Sequence, residues 1–130
     1  MLTRSGTATA APSYAGRVND LERQAVERIL TVEAADHPEL ASHLEALVVT
    51  SRRYTGVGVY TDFRLPANLE PCHFCPVTLR LGGALVGSVG AQGLLAGFVL
   101  YVDNGTITTL ESFVYDGQWP DDADQHFQLK

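Results

Sequence analysis

Basic residues are scarce and unevenly placed: lysine occurs once, at Lys130, and no arginine or lysine lies between Arg80 and that terminal lysine. A nucleic-acid binder meets phosphates with clustered Lys and Arg. A chain of formal charge −6 does not offer them, so nucleic acid is excluded as a partner. Cysteine is as rare, Cys72 and Cys75 being the two present. That rules out a disulfide-rich scaffold and a four-cysteine zinc frame. Long apolar runs are missing too. LLAGFVLYV, residues 94–102, stops at Asp103, far short of the roughly 20 residues of a membrane-spanning helix. The opening MLTRSGTATAAPSYAG lacks the apolar stretch of about 7–15 residues of a secretory signal. The expected location is therefore cytoplasmic, with no membrane partner, and the cysteines are expected there as thiols.

Other signatures fail on particular residues. The glycines of LGGALVGSVGAQG carry no lysine of a phosphate loop, and DDADQHFQLK lacks the glycine and glutamate of a calcium loop. His37 and His43 are six apart, not the four of a zincin pair.

What is present is a change of period. Residues 1–15, rich in Ser, Thr, Ala and Gly, are read as a disordered tail, and 16–130 as a single α+β domain. Val18, Leu21, Ala25, Ile29 and Val32 recur at helical steps, with Asn19 and Glu22 spaced as a capping box. Glu22, Arg23, Glu27 and Arg28 are placed on the wet side. ADHPEL starts a second helix, with Asp36 as cap, Pro38 in the first turn and a stripe of Leu40, Leu44, Leu47 and Val48; His43 is placed on its exposed face. From Thr55 to Leu65 the period becomes two, the mark of a half-buried strand, with Gly56, Gly58, Tyr60, Asp62 and Arg64 on one side. PVTLRLGG offers another strand through Val77, Leu79 and Leu81.

The segments LLAGFVLYV and TITTLESFVYD flank Asp103-Asn104-Gly105 and predict a tight antiparallel hairpin. Phe98, Leu100 and Val102 share one face of its first arm, and Ile107, Thr109, Glu111, Phe113 and Tyr115 one face of its second. Phe127 and Leu129 suggest a short edge strand. The expected fold is α+β: two N-terminal helices packed on one face of a four- to five-stranded antiparallel sheet.

EPCHFCPVT concentrates the thiols. Two cysteines three apart supply half a zinc site or a dithiol pair, but His73 between them converges poorly with both. A further ligand would have to be His37, His43 or His126, arriving from elsewhere in the fold. The segment is read as a bend, with metal at Cys72 and Cys75 the outside alternative and no cofactor called for.

Glu111 stands out as a carboxylate in an apolar, threonine-rich strand, where Arg64, Arg80 or Tyr60 could donate to it. Tyr101, Phe113, Tyr115 and Trp119 form an aromatic group beside Asp103, Asp116, Asp121, Asp122 and Asp124, the composition of aromatic anchors inside an acidic rim.

RRYTGVGVYTDFRLP, followed by AGFVLYVDNGTITTLESFVYDGQWPDD, resembles a group of small uncharacterised bacterial α+β proteins. These share a TGxGxxTDF strand and a GFVLxVxxGxxxxLExxxYxxxWP hairpin. The matching positions here are the glycines, Leu110, Glu111, Tyr115, Trp119 and Pro120, over about residues 17–122. The resemblance implies the fold and no activity.

The expected function is non-enzymatic binding, through Tyr60, Asp62, Arg64, Tyr101, Glu111, Phe113, Tyr115 and Trp119, of a basic protein partner. An immunity-type protein is a specific form of it. Self-association into a homodimer through a sheet edge or face fits the same features. The alternative is a small-ligand binder or enzyme with a pocket between helices and sheet, lined by Tyr60, Asp62, Arg64 and Glu111.

Overall fold

The computed structural model describes residues 16–130; the expected tail lies outside the described residues. Helix α1 spans Asp20–Glu33 and α2 Pro38–His43, which runs into a 3-10 turn, Leu44–Ala46. Seven strands follow: β1 Val48–Tyr54, β2 Gly58–Arg64, β3 Thr78–Leu81, β4 Val86–Val89, β5 Leu94–Asp103, β6 Thr106–Val114 and β7 Phe127–Leu129. They form one antiparallel sheet in the order β1-β2-β6-β5-β4-β7, with β3 also on β5. The ten-residue β5 is its spine. β6 runs along one edge; on the other, β4 pairs with Leu94 to Gly97 and β3 with Leu100 to Asp103. No helix of the described residues is long and apolar enough to cross a membrane.

The fold is α+β with an antiparallel sheet, as the sequence implies, but seven strands replace the expected four to five. The expected single strand from Thr55 is the second arm of a hairpin. VVTSRRY forms the first arm, although its polar residues hide the alternation. Val48, expected on the second helix, opens that strand. VGSV supplies β4.

One core unites Leu21, Ala25, Val26, Ile29 and Leu30 of α1 and Leu40 of α2 with Phe63, Phe98, Leu100, Val102 and Leu110 of the sheet. The capping box forms as expected: Asn19 accepts from the Glu22 amide at 2.8 Å and its own amide donates to Glu22 at 2.9 Å. The stripe, however, is rotated. Val32 is exposed, whereas Glu22, expected in water, is 4% exposed. Burial of that carboxylate is possible because Arg52 Nε and Nη2 donate to it at 2.8 Å each and Thr61 Oγ1 at 2.7 Å. At the other end of α1, both Glu33 oxygens accept from the Gly82 amide at 3.0 Å. His37, not Asp36, is the N-cap of α2. His43 is buried rather than exposed, because positions 40, 43 and 44 share one helix face.

The long hairpin turns at Asn104 and Gly105, both at positive φ (54° and 75°), as two-residue turns of this kind require. Its second arm departs from strict alternation. Tyr101 pairs with Thr109 but Val102 with Ile107, leaving Thr108 as a bulge. Ile107 therefore faces the core, and Thr109, Glu111 and Phe113 occupy the other face.

The buried Glu22 makes a direct test of this packing. Glu22→Ala takes the carboxylate from Arg52 and removes the capping box. It is expected to lower the unfolding free energy in urea by about 3–5 kcal/mol, against under about 1 kcal/mol for the exposed pair partner Glu45→Ala.

Candidate functional site

Among the described residues the sheet has one face covered by helices and one open. Cross-strand register sets the open face in rows. Arg80, Tyr101, Thr109, Asp62 and Ser51 lie side by side, next to a row of Val99, Glu111, Tyr60 and Arg53. A third row holds Val86, Gly97, Phe113 and Gly58.

Glu111 is the hub. Tyr101 Oη donates to its Oε1 at 2.7 Å and Tyr60 Oη to its Oε2 at 3.1 Å. Of the three expected donors, Tyr60 is used; Tyr101 completes the clamp. Guanidinium groups lie over both rings, Arg53 at 4.9 Å from the Tyr60 centroid and Arg80 at 4.5 Å from that of Tyr101, as cation–π pairs. Each guanidinium also meets a carboxylate. Arg53 forks onto Asp62 through two bonds of 2.9 Å, and Arg80 Nη1 reaches Asp103 Oδ1 at 3.0 Å. Ser51 and Thr109 hydroxyls complete the shell of Asp62 at 2.7 and 2.9 Å.

The electrostatics follow from these contacts. The Arg53 guanidinium, aided by the two hydroxyls and opposed by partial burial, holds the Asp62 carboxyl below its ordinary range. Its bond to Glu111 stabilises the neutral phenol of Tyr101 and, with smaller help from burial and charge repulsion, pushes its pKa up to about 12. Tyr60 is raised by the same hydrogen bond first. Phenols harder to ionise than usual stay neutral and are poor acids, and both Glu111 oxygens are occupied by donors. The network fixes charge in place rather than activating a nucleophile.

The other end of the open face is apolar. Phe113 and Tyr115 meet edge to face, with centroids 5.3 Å apart, and their rings cover Gly97. A Cβ at Gly97 would come within 2.8 Å of the Phe113 ring, so that position needs glycine.

Six of the eight expected residues, Tyr60, Asp62, Tyr101, Glu111, Phe113 and Tyr115, share this face. Arg64 is exposed at the end of β2, paired with Val48 and apart from Glu111. Trp119 is partly buried against the core, its amide donating to Gly56 O at 2.9 Å. Tyr60, Asp62 and Glu111 lie on the face of the sheet turned away from the helices, not in a space between helices and sheet. A cleft of about 580 Å³ lies elsewhere, between the β4–β5 turn and residues 117–122. Arg53 is a partner that sequence reasoning missed, because its strand was not recognised.

The CHFC segment also differs from expectation. Cys72 and Cys75 are joined as a disulfide rather than left as thiols, the bend having brought their Cα atoms to 5.6 Å, within disulfide range. His73 turns outward to Glu70 at 2.9 Å. His37 arrives from the start of α2, and its ring and the two sulfurs lie within 4.8 Å of one another. No family model, curated protein or solved structure matches the chain.

Tyr101 should titrate last among the tyrosines when tyrosinate absorbance is followed, at about pH 12; Glu111→Gln should return it toward its ordinary value near 10, and Tyr101→Phe should delete that step. Because the folded pKa is the raised one, the stability this bond gives is complete below about pH 10 and is lost as pH climbs toward 12.

Proposed function

We propose that the chain is a non-catalytic bacterial binding module, acting in the cytoplasm, that takes a basic protein surface onto the C-terminal end of its sheet. An immunity-type protein neutralising a cationic toxin domain is the form that this chemistry fits. The reading inherits its bacterial setting from the resemblance to small α+β proteins.

The observation that carries it is an exposed apolar group followed along the chain by exposed acids that form no ion pair among the described residues. Val57, Leu95 and Tyr115 are 52%, 56% and 61% exposed. Backbone bonds bring them together: the Val114 amide donates to Val57 O at 2.9 Å and the Tyr115 amide to Leu95 O at 3.2 Å. Asp116, Asp121 and Asp124 are exposed beyond them. None is ion-paired to an arginine of the described residues, unlike Asp62 and Asp103. Aromatic and aliphatic anchors inside a charged rim are the anatomy of a protein interface, and the rim's sign selects a cationic partner. The clamp around Glu111 supports the same reading by holding the adjacent face rigid before contact. The same apolar group is the surface through which a homodimer would form.

Partner capture by the immobilised chain, followed by a measured Kd, tests this. Raising salt from 50 to 300 mM and the triple change Asp116→Asn, Asp121→Asn, Asp124→Asn should each weaken binding at least about tenfold. Binding indifferent to both would sink the acidic-rim reading. A light-scattering mass of one chain would remove the dimer while leaving the rim untouched.

A further inference from the structure

We propose that Cys72, Cys75 and His37 form a zinc site when the disulfide is reduced, with the Glu39 carboxylate or a water as fourth ligand. The inference is independent of the acidic surface.

The donors come from two parts of the chain that the fold presses together. Cys72 and Cys75 sit in the loop between β2 and β3, and His37 and Glu39 at the start of α2. The His37 ring and both sulfurs converge within 4.8 Å, and Glu39 Oε1 lies 3.7 Å from Cys72 Sγ. Tetrahedral zinc, with Zn–S near 2.3 Å and Zn–N near 2.0 Å, holds its ligand atoms about 3.5 Å apart, so shifts of about 1 Å suffice. Two thiolates, an imidazole and a carboxylate are donors that zinc accepts.

The loop is also built from beneath. The Cys72 amide donates to Gly105 O at 2.9 Å, and the Asn104 amide to Val77 O at 2.8 Å. A Cβ at Gly105 would strike the Cys72 backbone. The tip of the long hairpin therefore fixes where the sulfurs sit, as a site formed ahead of its ion requires.

A catalytic dithiol fits less well. Cys72 is 5% exposed, closed to an attacking partner, and a strand rather than a helix follows Cys75, so no helix dipole lowers its thiol pKa. In a reducing compartment two small-molecule thiols reduce the S–S bond, the first attacking the partly exposed Cys75 sulfur and releasing Cys72. They leave as their own disulfide, and their two protons pass to Cys72 and Cys75. Zn²⁺ then displaces those protons as the two Zn–S bonds form.

The test uses the full chain, reduced and freed of reductant, titrated anaerobically with Co²⁺ and then Zn²⁺. Expected are one cobalt per chain with a thiolate-to-cobalt charge-transfer band and tetrahedral d–d bands, and displacement by one equivalent of zinc. Cys75→Ser should abolish the charge-transfer signature of two thiolates, and His37→Ala should weaken zinc at least about tenfold. Below the thiol pKa, release of two protons should make affinity fall about 100-fold per pH unit. Zinc should raise the thermal midpoint of the reduced wild type more than that of reduced His37→Ala at the same zinc concentration, a readout that holds even if reduction loosens the fold. Absence of a thiolate band at stoichiometric cobalt overturns the site, and so does equal zinc affinity in His37→Ala.

Discussion

The architecture depends on one buried carboxylate. Glu22 accepts from its own cap residue, from Arg52 and from Thr61, so a single side chain closes the first turn of α1 and bolts that helix to the β1–β2 hairpin. Arg52 and Thr61 are direct cross-strand partners, as are Arg53 and Tyr60 one step along. Adjacent arginines thus serve opposite faces, the first holding the helix and the second framing the open surface. A one-residue slip of β1 would exchange them, sending Arg53 into the core and Arg52 into water. The bond beneath the sheet therefore sets the register of the network above it.

That network has a consistent logic. Acids that sit on the pleat are compensated: Asp62 by Arg53, Asp103 by Arg80, Glu111 by two phenols. Asp116, Asp121 and Asp124, on the loop after β6, form no ion pair with the arginines of the described residues, whereas Asp122 accepts from the Ala91 amide. Neutralised ground on the pleat next to acids without ion pairs on the loop divides the surface into a part that holds shape and a part that attracts. The attraction is sensitive to salt in a way the shape is not.

Much of this is legible in the chain. Asn104-Gly105 announces the hairpin because only residues tolerant of positive φ make so tight a turn, and Glu111 announces itself as a carboxylate where apolar residues prevail. Tyr60 follows from the alternation of β2. The bulge at Thr108 is not legible: nothing local marks which residue is left over, and from that point the strand's faces exchange, carrying Ile107 to the core. SRRY conceals β1 because long polar side chains serve both faces equally well as sequence. His37 meets the two sulfurs only through tertiary packing, since 35 positions separate it from Cys72 and no spacing rule reaches that far.

The stepped outer margin of the sheet has its own consequence. Beyond β5 lie a four-residue β3 and a three-residue β7 on the four-residue β4, and the opposite margin, β1, is interrupted at Thr50 and carries Arg53. Among the described residues, neither side presents a long, straight run of free amides and carbonyls to a neighbouring molecule. On these margins, stacking of copies edge to edge therefore finds only short or broken stretches to pair with.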